Sequence, residues 1–308
     1  MIEVEHLTKK YGDLVALKDL SFKVEEGKIW GLLGPNKAGK TTTMRILTGY
    51  LPANEGKASV AGYDVFEQPN EVKKIIGYLP EALPLYPEMT VLSFLNFVSE
   101  IKQIPASKKK EAVERSIEVS GLETERGRLI KHISRGFKQR VGIAQALIHD
   151  PQVLILDEPT IGLDPKQIIE IRQLIKSFKG ERTILISTHI LAEVTQTCDG
   201  VVIINDGLLM ASGSLEALTA SFREKEGVVV RLKKSGESTL SLLREIQGVD
   251  RVSRENDELK IEWSKGKDLR DEIARLVVEK GLGLVEMRPL AMDIEDLYLK
   301  VVSGGVKQ

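Results

Sequence analysis

The stretch Gly34-Pro35-Asn36-Lys37-Ala38-Gly39-Lys40-Thr41-Thr42 constrains this chain more than any other. It follows an apolar run, Ile29-Trp30-Gly31-Leu32-Leu33, and opens a helix-like pattern, Met44-Arg45-Ile46-Leu47. That is G-x-x-x-x-G-K-[ST] between a strand and a helix, the setting in which a loop cradles phosphate. Backbone N–H groups of such a loop converge on phosphate oxygens, and the positive end of the following helix dipole adds attraction. In that arrangement Lys40 reaches the β- and γ-phosphates and the Thr41 hydroxyl binds Mg²⁺. The continuous apolar run before the loop reads as a buried parallel strand, so an α/β core is expected.

The remaining pattern divides the chain in two, as its 308 residues lead one to expect. Ile2, Val4 and Leu7, then Val15, Leu17, Leu20 and Phe22, roughly alternate like half-buried antiparallel strands. Lys57–Val65 and Lys74–Leu79 are further strand candidates. From Val91 the period becomes helical, with Val91, Phe94, Leu95 and Val98 on one face. Ser107 is a candidate N-cap for a charged helix that stops at Gly121. Strands over Val153–Leu156 and Thr183–Ser187 alternate with helices over Ile168–Phe178 and Leu191–Thr197. Val201–Ile204, Asn205-Asp206-Gly207 and Leu208–Ala211 read as a hairpin. Past residue 222 the order is β-α-β-β-α-β: Val228–Leu232, Thr239–Ile246, Val252–Arg254, Leu259–Trp263, Leu269–Lys280, Gly283–Met287. A short helix over Ile294–Val301 closes the chain. The expected domains are therefore 1–222, with a helical part at about 91–145, and a small ferredoxin-like α+β domain over 223–308.

Composition excludes several classes. A net charge of −1 gives no sign of bulk nucleic-acid binding, and Lys108-Lys109-Lys110 reads as a solvated helix start. No apolar run approaches the roughly 20 residues that span a bilayer, and the N-terminus reads as a strand and not as a signal peptide. The single Cys198 excludes an internal disulfide and suits a reducing compartment. His6, His132 and His149 read as surface histidines. A chain of this kind is expected in the cytoplasm, or on a membrane through a partner.

A second constellation stands downstream. Val153-Leu154-Ile155-Leu156-Asp157-Glu158 is an apolar strand ending in two carboxylates, and open α/β sheets bind ligands beyond the carboxyl ends of their strands. Asp157 is then placed to hold Mg²⁺ opposite Thr41. Glu158, one residue on, is placed to take a proton from an attacking water. His189 closes the next strand, where it can bond a γ-phosphate and orient that water. Ile133-Ser134-Arg135-Gly136-Phe137-Lys138-Gln139-Arg140 offers a hydroxyl, free backbone N–H groups and a helix N-terminus, expected over Gln139–Ile148. It is either an ordinary Ser N-cap or a second anion-binding end.

Taken together, these residues resemble the ATP-binding cassette (ABC) ATPases over positions 1 to about 220. Gly34–Thr42 matches the Walker A motif, Ser134 and Gly136 the signature, and Leu156–Glu158 the Walker B motif. Gly162-Leu163-Asp164 matches the D-loop, His189 the switch histidine, and Tyr11 the aromatic that stacks on adenine. The resemblance implies a P-loop NTPase core with an antiparallel β subdomain and a helical subdomain. It implies ATP and Mg²⁺ as ligands, and a nucleotide contacted by Tyr11, by Gly34, Pro35, Asn36, Lys37, Ala38, Gly39, Lys40, Thr41 and Thr42, and by Ser134, Gly136 and Asp164. It further implies a homodimer or heterodimer of cassettes, in which one copy's signature caps the γ-phosphate held by the other. An integral membrane permease is the implied partner, with the chain peripheral on the inner face of the membrane.

The departures from the family pattern are specific. Glu81 stands where a glutamine that touches Mg²⁺ is usual, and a carboxylate can still serve the metal. Ile76-Gly77-Tyr78-Leu79-Pro80-Glu81 followed by Leu85-Tyr86-Pro87-Glu88-Met89-Thr90-Val91 is similar to exporter cassettes linked to drugs, antibiotics, sodium and gliding motility. Arg135 and Phe137 replace the usual Gly and Gln, and Ile161 a usual Ser or Asn. An importer cassette and a non-transport ABC ATPase are the alternatives. Lys37 replaces a nearly constant Gly in a loop whose Gly often takes positive φ. A side chain there costs roughly 1–2 kcal/mol, so ATP is expected to bind in a strained loop that slows hydrolysis. The segment after 223 resembles the accessory domain of those exporters, closing on Ile294-Glu295-Asp296-Leu297-Tyr298-Leu299.

Overall fold

The computed structural model describes residues 1–221, 225–264, 266–290 and 298–299. It divides into two compact units at Leu215/Glu216. The expected closing helix over Ile294–Val301 lies outside the described residues.

In the first unit, strands β1 (Ile2–Tyr11) and β2 (Leu14–Val24) form an antiparallel pair. Strand β3 (Ile29–Leu33) leads into helix α1 (Lys40–Leu47). The expected strand over Lys57–Val65 is a hairpin instead, β4 (Glu55–Val60) and β5 (Tyr63–Asp64), turning where Ala61 and Gly62 adopt positive φ. Lys74 and Ile75 prove helical: α2 (Pro69–Ile75) starts with Pro at its first turn, and only then does β6 (Ile76–Leu79) begin. A helix of seven residues shows too little periodicity to be separated from the strand that follows.

Helices α3 (Val91–Ile101), α4 (Ala106–Val119) and α5 (Arg135–Leu147) make the helical part. Thr90 caps α3 by accepting from Ser93 N, and the face of Val91, Phe94, Leu95 and Val98 is buried as its spacing predicts. Helix α4 starts one residue ahead of the expected Ser107 cap, directly after Pro105. The chain returns to the sheet with β7 (Val153–Asp157), α6 (Pro165–Ser177), β8 (Thr183–Thr188) and α7 (Leu191–Thr197). It ends this unit with the hairpin β9 (Gly200–Asn205) and β10 (Leu208–Ser214), after which α8 (Leu215–Ser221) follows.

Strands β2-β1-β4-β5 make one antiparallel sheet, and β10-β9-β3-β8-β7-β6 a second. In the second sheet β9, β3, β8, β7 and β6 run parallel, with β10 antiparallel at the edge. Every residue of β3, β7 and β8 is buried, which accounts for their unbroken apolar runs. One apolar cluster joins the two sheets and α1 through Leu7, Leu20, Met44 and Val202, and another packs Ile143, Ile171 and Ile175 against the parallel sheet. Both leave the carboxyl ends of β3, β7 and β8 side by side, and those ends carry the polar residues singled out above.

The second unit contains β11 (Lys225–Leu232), α9 (Glu237–Arg244), β12 (Val249–Glu255), β13 (Glu258–Ser264), α10 (Arg270–Glu279) and β14 (Leu284–Pro289). Its sheet order β12-β13-β11-β14 is antiparallel throughout, the ferredoxin-like arrangement the element order predicts. Val228, Val230, Leu259, Ile261 and Trp263 of the sheet pack with Leu243, Ile273 and Val277 of the helices.

Candidate functional site

The loop between β3 and α1 is fixed by close approach. A Cβ on Gly34 would lie 2.3 Å from Ile204 O, so no larger residue fits there. Gly39 has φ 107° and leaves no room beside Ala16 O and Leu17. Ala38 N donates to Pro35 O, and Gly207 N of the β9–β10 turn donates to Ala38 O. Lys37 is exposed and has φ 70°, the left-handed conformation expected for the Gly it replaces. Asn36 is exposed, Thr41 and Thr42 are half-buried, and Lys40 is buried.

The Lys40 ammonium folds back over the loop, donating to Gly34 O at 2.8 Å and Pro35 O at 3.2 Å. It also lies 3.5 Å from Glu158 Oε1. Glu158 is only 7% exposed, and His189 Nδ1 stands 2.9 Å from its Oε2. Lys40, Glu158 and His189, far apart in the chain, thus meet at the ends of three neighbouring strands. Glu158 itself has φ 48° and is held there by its N–H, which donates to Ser187 Oγ at 2.9 Å and Ser187 O at 3.2 Å.

Asp157 is fully buried. Its Oδ1 accepts from the Ser187 hydroxyl, while its Oδ2 is buried with no hydrogen-bond partner. A carboxylate oxygen in that condition is costly unless something cationic meets it, so the Asp157 carboxylate fits a divalent ion. Ser187 is a site residue that the sequence pattern does not mark: its hydroxyl bonds both the Asp157 carboxylate and the Glu158 N–H, a role that only the fold reveals. Tyr78 of β6 stays neutral, since burial, reinforced by the Asp157 carboxylate, pushes its phenol up to about 12.

Other residues singled out in the sequence lie outside this cluster. Glu81 is exposed in the loop after β6 and takes no part in the hydrogen bonding just described. No group of three or more His, Cys, Asp or Glu residues with metal-binding geometry occurs among the described residues. Tyr11 ends β1 with 43% of its surface exposed, and Lys9 Nζ stands 5.3 Å from its ring centroid. Ser134 caps α5 by accepting from Phe137 N, so the helix begins at Arg135 and not at Gln139. Gly136 lies against the Gln167 side chain, 2.5 Å from where a Cβ would stand. The Arg135 guanidinium covers Gly162 just as closely. Asp164 caps α6, its Oδ1 accepting from Gln167 N at 2.9 Å. The signature and D-loop positions therefore form one packed surface made by two adjoining helix starts.

Two single residues are also placed. Cys198 is partly buried, and burial pushes its thiol up to about 12, which leaves it unreactive. His149 is not the surface histidine expected: its Nε2 lies 3.0 Å from Ile76 O and 3.3 Å from Lys102 Nζ. Burial, with the Lys102 charge adding to it, pulls the imidazole down to about 4.

Comparison with known proteins agrees with this geometry. The family described as ABC transporter matches residues 17–161. The bacitracin transport ATP-binding protein of Bacillus licheniformis is 34% identical over 307 residues, covering 99% of this chain and 98% of that protein. The linearmycin resistance ATP-binding protein of Bacillus subtilis is 34% identical, covering 86% of this chain and 85% of that one. Among solved structures, a bacterial ABC transporter cassette determined as a dimer is 25% identical with a TM-score of 0.63, covering 70% of this chain and 99% of that chain. No helix among the described residues is long and apolar enough to cross a membrane. A likeness that runs nearly end to end, and is not confined to the phosphate loop, means that the chain belongs to the ABC transporter family, as an ATP-binding subunit that hydrolyses ATP.

Proposed function

We propose that this chain is the ATP-hydrolysing subunit of a membrane exporter, with Glu158 as the general base. The observation that carries the reading is the buried Glu158 carboxylate, held between Lys40 and His189 at the end of β7. A base must be kept in place and shielded from bulk water, and this one is. Lys40, now on the loop carbonyls, transfers to the β- and γ-phosphates of ATP, where its charge offsets theirs. The N–H groups of Asn36, Lys37, Gly39, Lys40, Thr41 and Thr42 complete the cradle, beside Ala38, whose own N–H is held by Pro35 O. His189 contacts the γ-phosphate from the end of β8 while its Nδ1 keeps Glu158 oriented. Thr41 and Asp157 are the residues that would hold Mg²⁺, with Glu81 as a further ligand. When bound, the ion neutralises phosphate charge.

Ser134 caps its own helix and Gly136 packs on Gln167, with no bond to Lys40, Glu158 or His189, which supports a role for them on the nucleotide of a second copy. Asp164, packed beside them at the start of α6, belongs to the same face. Tyr11 offers an exposed ring to the adenine. Residues 1–222 form the ATPase, and 223–308 an accessory domain that packs or makes dimer contacts. The chain works as a dimer of cassettes, peripheral on the inner face of the membrane through a permease. Export is favoured because two relatives that match most of the chain are named for bacitracin transport and linearmycin resistance. Phosphate release from MgATP tests the assignment: Lys40→Ala lowers the rate by about 10²–10³-fold and weakens ATP binding. Undiminished hydrolysis by that variant would overturn it.

A further inference from the structure

Behind the Lys40–Glu158–His189 cluster lies another buried carboxylate that the reaction does not use. Glu193 sits in the first turn of α7 and is 7% exposed. Its Oε1 accepts from the Thr160 hydroxyl and its Oε2 accepts from Thr188 Oγ1 at 2.6 Å. Thr160 lies two residues after Glu158, and Thr188 immediately precedes His189; both are buried. One carboxylate therefore ties together the two backbone turns that present the base and the histidine.

Burying a carboxylate on two neutral hydroxyls is an expensive way to join two loops, since an amide would join them without the desolvation cost. What a carboxylate adds is that it only accepts, so both threonine hydroxyls must point their protons at it. Thr188 Oγ1 then keeps a lone pair for the Ile190 N–H, 3.0 Å away. The backbone is thus held on both sides of His189. On the other arm, Ile161 N donates to Glu158 O, and Leu163 N donates to Thr160 O. That turn needs holding, because Glu158 occupies a left-handed conformation at φ 48° that costs a residue with a side chain roughly 1–2 kcal/mol. Such strain persists only where the surroundings over-determine it.

We propose that Glu193 is a positioning residue of the hydrolysis site: through Thr160 and Thr188 it sets the placement of the Glu158 carboxylate relative to His189. The inference rests on the reading of Glu158 as base. It touches neither the base nor the phosphates, so its removal should affect turnover more than nucleotide binding.

The test is steady-state hydrolysis of MgATP by the full chain at saturating ATP, beside ATP affinity measured on the same preparations. Glu193→Ala should lower kcat by about 10–100-fold, the penalty of a displaced catalytic group, with ATP affinity within twofold. Glu193→Gln spans the same distance but turns an NH2 donor towards one of the two hydroxyls, so it should recover only part of the lost rate. Thr160→Val removes one arm at nearly constant shape and should reproduce the kcat loss, also serving if Glu193→Ala does not fold. Unchanged kcat in Glu193→Ala or Thr160→Val would overturn the proposal, as would a loss of affinity in step with kcat. Glu158→Gln is run alongside. If it turns over normally, the base assignment has failed; if it is silent while Glu193→Ala is normal, only the brace has failed.

Discussion

The two units of this protein spend their interiors differently. The second buries Val228, Leu243, Leu259, Ile261, Trp263 and Ile273, and Thr239 is the one polar residue buried with them among the described residues. The first buries Lys40, Asp157, Glu158 and Glu193 close to the ends of three parallel strands. Backbone strain follows the same division. In the second unit Asn256 alone, among the described non-glycine residues, has positive φ, at a hairpin turn where asparagine is well tolerated. In the first, eight of the described ones do, several of them in turns, but Lys37 and Glu158 adopt it beside the phosphate site. One unit is built to be stable and the other accepts cost where chemistry is done.

The comparison can be broken where the second unit is densest. Trp263→Ala is expected to destabilise that unit by about 3–5 kcal/mol, read by thermal or denaturant unfolding, while ATP binding by the first unit stays within twofold. A parallel loss of ATP binding would show that the units do not divide the work as described.

A smaller effect lies in the first unit, just after α5. Burial pulls the His149 imidazole down to about 4 in the fold, from an ordinary 6.5. The unfolded chain therefore takes up its proton first, and stability is lost as pH falls from about 6.5 towards 4. The loss is about 1–3 kcal/mol by linkage. His149→Gln should flatten unfolding measured across that window, and an unaltered pH dependence would count against the buried neutral imidazole.

The smallest effect sharpens the argument about strain. Lys37→Gly relieves a left-handed residue worth about 1 kcal/mol, so steady-state hydrolysis should rise up to about fivefold. No increase would mean that the loop carries its lysine without cost to turnover.

Much of this was readable in the sequence because the signals are local. The run Ile29–Leu33, the loop after it and the strand ending in Asp157-Glu158 each state their own structure. The β-α-β-β-α-β order of the second unit likewise follows from alternation and period alone. What escaped was decided by tertiary packing. Helix α5 starts at Arg135, capped by Ser134, although it contains the poor helix formers Gly136 and Gly142, and Gly142 is required because a Cβ there would strike Leu79 and Leu83. His149 looks like a surface residue until Ile76 of β6 and Lys102 after α3 close on it. The bonds from Ser187 to Asp157 and from Glu193 to Thr160 each span about thirty residues, and no spacing rule announces them.

The central claim is that the buried Glu158 carboxylate is the base of an ATP-hydrolysing subunit. Glu158→Gln keeps the side chain's shape and its neighbours Lys40 and His189 while removing the proton acceptor. Measured together on that variant, MgATP binding should match the wild type while phosphate release falls by about 10²–10⁴-fold. Phosphate release at the wild-type rate with ATP bound would contradict the account.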